Sequence, residues 1–240
     1  APPPGRVGYS AGRFSSSYTV EERRRDLMLA GAADIDGTGN AMANRVRGNA
    51  ADNGLDGQSG NDVLIGRGGN DTLIGGEGND TLIGGAGNDI YVLARGDGTD
   101  TVVETGAAAW GTDIVRFVKG VAYDQLWFKR PAGSDNLEIS IIGTSDKLVI
   151  KNWYLGGQYR VEEIRTDDGH KVLYAADIEA LVAAMSVMTP PAPGQTTLSA
   201  SQHGALDALF ASTWHVRAQD RHTMSDESQS GPSMASNSIQ

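Results

Sequence analysis

Residues 57–92 are four tandem nonapeptides, GQSGNDVLI, GRGGNDTLI, GGEGNDTLI and GGAGNDIYV, and such a run cannot settle into a long helix. The first six residues of each unit read as a turn and the last three as a short strand. Glycine supplies positive φ and close backbone approach. Asn-Asp tolerates the tight geometry and is expected to leave a carboxylate pointing out of the turn. The strand sends its middle residue, Leu64, Leu73, Leu82 or Tyr91, into the interior. Nine residues carry the chain from one side to the other, and eighteen complete a coil.

Turns eighteen residues apart then stack, Asp62 over Asp80 and Asp71 over Asp89. Stacked carboxylates repel one another unless a cation lies between them. Ca²⁺ takes six to eight oxygens and accepts backbone carbonyls beside carboxylates, whereas Mg²⁺ demands stricter octahedral geometry and holds its water. Each turn is therefore a half-site, and two turns complete one calcium site. The expected binding shell is Gly60, Asn61 and Asp62; Gly69, Asn70 and Asp71; Gly78, Asn79 and Asp80; and Gly87, Asn88 and Asp89. Gly66, Gly75, Gly76, Gly84 and Gly85 open the turns and belong to it. Asn53 in the rung before, and Asp97 and Asp100 in GDGTD after, are candidates for a further site.

The bulk chemistry agrees. A formal net charge of −10 argues against nucleic acid and anionic membrane as partners and fits a cation. The chain has no cysteine, so disulfides and thiolate metal sites are excluded; a secreted protein without them needs some other staple, and a bound metal is one. No apolar run approaches the roughly 20 residues of a membrane span.

Around the repeats, residues 1–18 read as a Pro/Gly/Ser-rich linker, as at the start of the C-terminal part of a longer protein. Residues 19–56 read as degenerate rungs capping the repeats: GNAMANRVR and GNAADNGLD place Asn44 and Asn53 where Asp should stand. Asn keeps the turn but drops the charge. After Val92 the period is lost, and 93–174 alternates apolar and polar residues between turn signals, the pattern of short antiparallel strands. Residues 175–217 read as amphipathic helices, one with Ile178, Leu181, Val182 and Met185 on a face, a second over about 201–216 with Leu206, Leu209, Phe210 and Trp214. Residues 218–240 read as a flexible polar tail.

The four units resemble the RTX, or hemolysin-type, calcium-binding repeat G-G-x-G-x-D-x-U-x, a pattern already attached to Ca²⁺ binding. GGEGNDTLI matches every position; GRGGNDTLI and GQSGNDVLI depart at single glycines. The stretches LMLAGAADIDGTGNAMANRVRGNAADNGLDG and DNLEISIIGTSDKLVIKNWYLGGQYRVEEIRTDDG are similar to the flanks of such repeats, so the resemblance covers about 20–216. It implies an all-β fold: a right-handed parallel β-roll or β-helix, then a short-stranded antiparallel β module and C-terminal amphipathic helices. It also implies calcium as cofactor, secretion from a bacterium, and the type I secretion apparatus as partner.

Rival motifs are weaker. GYSAG satisfies the hydrolase nucleophile elbow, but Ser10 lacks the buried strand and following helix the elbow needs, and reads as a linker serine. ADIDGTGN resembles an EF-hand start, but Arg45 stands where the bidentate Glu is required, so it reads as a rung. His170, His203, His215 and His222 form no H-E-x-x-H. Ile65, Ile74 and Ile83 make an outward apolar stripe expected to be covered by the following module. Trp110, Trp127, Trp153 and Trp214 read as core and rim of that module rather than a sugar platform. The expectation is a non-catalytic module that folds on calcium outside the cell. The alternatives are a calcium-stiffened adhesin that binds a surface or glycan, and part of a secreted hydrolase with catalysis upstream.

Overall fold

Alternating turns and three-residue strands leave the chain no local partner, so each strand pairs with the one two units along. The computed structural model describes residues 12–14, 16–22, 24–104, 111–167 and 171–216. The early strands are β1 (Gly12–Phe14), β2 (Tyr18–Thr19), β3 (Asp26–Leu29), β4 (Gly37–Asn40), β5 (Arg45–Arg47) and β6 (Gly54–Gln58). Through the repeats run β7 (Val63–Gly68), β8 (Thr72–Ile74), β9 (Thr81–Ala86) and β10 (Ile90–Leu93). Then follow β11 (Thr99–Val102), β12 (Ile114–Phe117), β13 (Leu126–Lys129), β14 (Leu137–Ile141), β15 (Lys147–Ile150), β16 (Glu163–Thr166) and β17 (Lys171–Tyr174). Helices α1 (Ile178–Ser186) and α2 (Ala200–Thr213) precede the last strand, β18 (Trp214–Val216).

Two nine-stranded sheets result. One runs β1-β3-β5-β7-β9-β11-β15-β14-β13 and the other β18-β17-β16-β12-β10-β8-β6-β4-β2. All pairs from β1 to β12 are parallel, and so are β11–β15 and β12–β16. Antiparallel pairing is confined to β13–β14–β15 and β16–β17–β18. The parallel roll and the antiparallel strands expected after it are both present, yet they share sheets. The roll also begins earlier than the sequence pattern indicates, because β1 lies within the stretch expected to be a linker.

The interior is two facing ladders of aliphatic side chains. Leu27, Val46, Leu64, Leu82, Val102 and Ile150 stack on one sheet. Leu55, Leu73, Tyr91, Val115 and Ile164 stack on the other, and all of these residues are buried. Toward the C-terminal end the core thickens: Phe117, Leu126, Phe128, Leu137 and Trp153 are fully enclosed. Helix α1 closes it with Ile178, Leu181, Val182 and Met185, the face foreseen from their spacing. Ser199 caps α2 by accepting from Gln202 N–H, and Leu206 and Phe210 bury its inner face, with Phe210 edge-on to Tyr123 at 5.7 Å. Trp214 leaves the expected helix to open β18, where it pairs with Leu173.

Trp127, Trp153 and Trp214 are buried core residues; Trp110 lies outside the described residues. The isoleucine stripe is corrected. Strands one unit apart belong to opposite sheets, so Ile65 and Ile83 pair on one sheet while Ile74 lies on the other between Asp56 and Val92. The three share no face, and Ile74 remains 36% exposed.

Adjacent positions on β8 therefore differ sharply. Leu73→Ala is expected to cost about 2–5 kcal/mol, as for other fully buried leucines. Ile74→Ala should cost about 1 kcal/mol or less. Urea unfolding in saturating calcium measures both, and equal losses would contradict the inward register.

Candidate calcium site

The turns stack in two columns, one carrying Asn44, Asp62, Asp80 and Asp100, the other Asn53, Asp71, Asp89 and Asp113. Strand pairing leaves the N–H of the aspartate position free, and the next turn fills the need. Asn44 N–H donates to Asp62 Oδ1 at 2.6 Å, Asp62 N–H to Asp80 Oδ1 at 2.7 Å, and Asp80 N–H to Asp100 Oδ1 at 3.0 Å. In the second column Asn53, Asp71 and Asp89 donate in the same way to Asp71, Asp89 and Asp113, each at 2.8 Å. The aspartates thus do not point out of their turns. Asp62, Asp71, Asp80 and Asp89 are all 1% exposed or less, because their carboxylates cap backbone of the neighbouring turn.

That capping uses one oxygen. The second, Oδ2 of Asp62, Asp71, Asp80 and Asp89, is buried with no hydrogen-bond partner. Among the described residues, none of the ion pairs involves these four side chains. A bare buried anionic oxygen costs several kcal/mol unless a positive charge meets it or a proton neutralises it. Burial accordingly pushes the carboxyls of Asp62 and Asp71 up to about 7 and those of Asp80 and Asp89 to about 6, with neighbouring carboxylates adding to the rise. Asp100 is pushed up to about 8 for the same reason, burial first and then Asp80, Asp97 and Asp146.

The glycines make room for these oxygens. A Cβ on Gly57, Gly66, Gly75 or Gly84 would lie 2.1–2.4 Å from Oδ2 of the aspartate in its own unit. At Gly57 and Gly66 the carbonyl oxygens of Gly75 and Gly84 come within 2.5 and 2.6 Å of the same point. Gly78 and Gly87, at φ +152° and +129°, sit so close over the carbonyls of Gly60 and Gly69 that a Cβ would approach to 1.7 and 2.0 Å. Gly76 and Gly85 lie over the carbonyls of Gln58 and Arg67 in the same manner. Among the described residues no three His, Cys, Asp or Glu side chains gather to hold a metal on their own. The available donors are single carboxylate oxygens among backbone carbonyls, the hard, all-oxygen set that suits Ca²⁺.

Asn61, Asn70, Asn79 and Asn88 line the outer side of the turns. Asn61 Oδ1 accepts from Asn79 N–H, and Asn70 Oδ1 accepts from Asn88 N–H, each at 2.9 Å. Their amides are structural ties between turns. Asn53, a candidate for a further site, has both side-chain atoms engaged: its Oδ1 accepts from Asn49 N–H and its Nδ2 donates to the carbonyl of Ile35, each at 2.8 Å. The amide nitrogen thus stands where the aspartates have their capping Oδ1, and the amide oxygen, 2.3 Å from where a Cβ on Gly48 would lie, stands where they have the bare Oδ2. Asn44 is satisfied likewise, donating to Asn40 Oδ1 and the carbonyl of Arg24. Asp97 and Asp100 part company. Asp100 is in register below Asp80, while Asp97 turns aside to accept from Ala94 N–H at 2.6 Å. ADIDGTGN is a rung, with Asp36 Oδ1 accepting from Gly54 N–H. Ser10, His170 and His222 lie outside the described residues.

Asp113, Glu162, Glu104 and Gly57 were not singled out from the sequence. Asp113 stands 24 residues after Asp89, and Glu162, whose Oε2 accepts from Asp113 N–H at 2.7 Å, another 49 residues on. No nine-residue window reaches them. The signal that was there is the tripeptide Gly-Thr-Asp at 98–100 and 111–113, an echo of Gly-Asn-Asp.

The family profile described as the RTX calcium-binding nonapeptide repeat matches residues 38–73 and 65–102. The chain carries RTX calcium-binding repeats. A second profile, the haemolysin-type calcium binding protein related domain, matches residues 136–175, which span β14 to β17. The chain is also 39% identical over 95 residues to the iron-regulated protein FrpA of Neisseria meningitidis serogroup C. That alignment covers 38% of this chain and 8% of FrpA. RTX repeats are typical of secreted bacterial proteins, and among the described residues no helix is long and apolar enough to cross a membrane.

The raised carboxyl values set a pH dependence whose sign depends on calcium. Each of the four aspartates binds its proton more tightly folded than unfolded, where the value is near 3.8. Without calcium the folded roll therefore gains stability as pH falls from about 7 toward 4 and loses it as pH rises. With calcium bound, protons compete with the ion, and acid should destabilise. Thermal melts at pH 5 and pH 8, in chelator and in calcium, should cross; a calcium-free roll that is more stable at pH 8 would contradict the burial of Oδ2.

Proposed function

We propose that the RTX segment is a calcium-operated folding switch in a protein exported by the type I secretion apparatus and folded outside the cell. The observation that carries this reading is the set of four buried Oδ2 atoms with neither a hydrogen bond nor a basic side chain to meet them. Asp62, Asp71, Asp80 and Asp89 are the proposed side-chain ligands, with Asp100 completing the first column. The carbonyls facing Gly76, Gly78, Gly85 and Gly87 supply the remaining oxygens. Calcium, when bound, contributes positive charge and nothing reactive. The residues do the rest: Oδ1 ties turn to turn, glycine admits the oxygens, and asparagine locks the outer side.

Where calcium is scarce, the columns must either take up protons or open. Near neutral pH the lean aliphatic ladders offset little chain entropy between residues 57 and 92, so this part of the roll stays open. An open chain suits passage through an export channel. Outside, calcium neutralises the columns and the roll closes, with affinity in the extracellular range of about 10⁻⁴ to 10⁻³ M. This is a role in folding and not in catalysis. An adhesive role toward a glycan finds less support, since the described tryptophans are buried.

Far-UV circular dichroism during a calcium titration tests the switch. The expected result is a cooperative gain of β signal on the order of 10⁻⁴ to 10⁻³ M calcium, not reproduced by magnesium at the same concentrations. Asp71→Asn should shift the midpoint to higher calcium without abolishing the folded end state, because Asn44 and Asn53 already occupy that place in the roll. Full β signal in excess chelator at pH 8, unchanged by calcium, would sink the proposal.

A further inference from the structure

The RTX profile ends at residue 102, yet the second column of turns does not. Four relations define a repeat turn, and the turn at 111–113 reproduces each of them without a nonapeptide. Gly111 lies over the carbonyl of Gly87, where a Cβ would approach to 1.9 Å, as Gly87 lies over Gly69 at 2.0 Å. Thr112 N–H donates to Asn88 Oδ1 at 2.7 Å, as Asn88 N–H donates to Asn70 Oδ1 at 2.9 Å. Asp89 N–H donates to Asp113 Oδ1 at 2.8 Å, matching Asp71 to Asp89. Ile114 N–H reaches the carbonyl of Asp89 at 2.8 Å, as Ile90 reaches that of Asp71.

What differs is the rung opening. Leu82 pairs with Val102, which places Glu104 opposite Gly84, where a repeat would have glycine. Glu104 is 7% exposed, and Tyr91 Oη donates to its Oε1 at 2.6 Å. Above Gly84 that tyrosine oxygen and Asp89 Oδ2 come together, within 2.6 and 2.2 Å of one point. Asp89 is wholly buried and this oxygen is unpartnered. Asp89, Glu104 and Asp113 lie near enough to one another for the three carboxylates to repel. Among the described residues no three such side chains gather to hold a metal alone, and backbone carbonyls are the other oxygens at hand, as in the repeat turns.

We infer that the gap between the Asn88-Asp89 turn and the Gly111-Thr112-Asp113 turn is an additional divalent cation site. Asp113 and Asp89 supply carboxylate oxygens, the carbonyl of Gly87 supplies a backbone oxygen, and Glu104 supplies further negative charge. A hard cation of calcium's size is the ligand. The inference rests on the calcium reading of the repeats and extends the second column by one ion beyond the last nonapeptide. Glu162 then caps Asp113 and ends the column in place of another aspartate.

Native mass spectrometry of the full chain in millimolar calcium counts the ions. Asp113→Asn should lose one bound ion while leaving the folded β signal intact, since asparagine already occupies the equivalent place in the columns at residues 44 and 53. Glu104→Gln leaves the cap untouched and should weaken one ion several-fold without changing the others, which decides the matter if Asp113→Asn does not fold. Wild-type protein that binds no calcium would overturn the reading of the repeats themselves. Wild-type protein that binds calcium, with neither variant altering the count or the weakest affinity, would overturn this inference alone.

Discussion

Each aspartate in the roll gives one carboxylate oxygen to the backbone N–H of the turn before it, and most of the molecule's chemistry follows from what that contact leaves behind. The bond fixes the spacing between turns and draws the carboxylate out of water. Its cost is the second oxygen, which is buried with nothing to meet it in Asp62, Asp71, Asp80 and Asp89. Glycine is required beside that oxygen because any Cβ on Gly57, Gly66, Gly75 or Gly84 would collide with it. A fold organised this way is left asking for positive charge at regular intervals, and calcium is the ion whose coordination tolerates carbonyls from a stack of turns.

The two ends of the roll meet the same requirement by other means. At the N-terminal end the amide nitrogens of Asn44 and Asn53 donate to carbonyls of the rung before, and their oxygens, set where the aspartates have a bare oxygen, accept from Asn40 and Asn49 N–H. The side-chain polar atoms of both asparagines find their partners within the chain. At the C-terminal end the sheets gain antiparallel strands, two helices and a denser interior around Phe117, Phe128 and Trp153. Apolar burial replaces ion binding as the source of cohesion there. Leu148 pairs with Asp100 in the first column, and Glu162 follows Asp113 in the second. The calcium-binding repeats are therefore bracketed by rungs that satisfy their own polar groups.

Much of this was legible because the units are nearly identical. A nine-residue period with an apolar residue at the eighth place leads to alternating strands, an aliphatic ladder and stacked aspartates, and Leu64, Leu73, Leu82 and Tyr91 all lie in the core as expected. The helical face of Ile178, Leu181, Val182 and Met185 was legible from spacing alone. Less legible was the direction of the aspartate side chain, since the same Asn-Asp turn can present it outward or tuck it under a neighbouring N–H. The isoleucines misled for a related reason: equivalent places in successive units lie on opposite sheets, so a stripe in the sequence is not a stripe on a surface.

The sequence by itself determined the strand length, the glycine-lined turns, the inward apolar ladder and the supply of aspartates at one place per unit. Those properties are local, set by residues a few positions apart and by an eighteen-residue return. The tertiary structure alone decided which oxygen of each carboxylate is used and which is stranded, because the partner N–H belongs to a turn eighteen or more residues away. It also decided that Asp100, Asp113 and Glu162 join the columns, since the intervening loops can be any length provided that β11, β12 and β16 return to their places in the sheets. Period is written along the chain, while register past a loop is chosen by strand pairing and core packing.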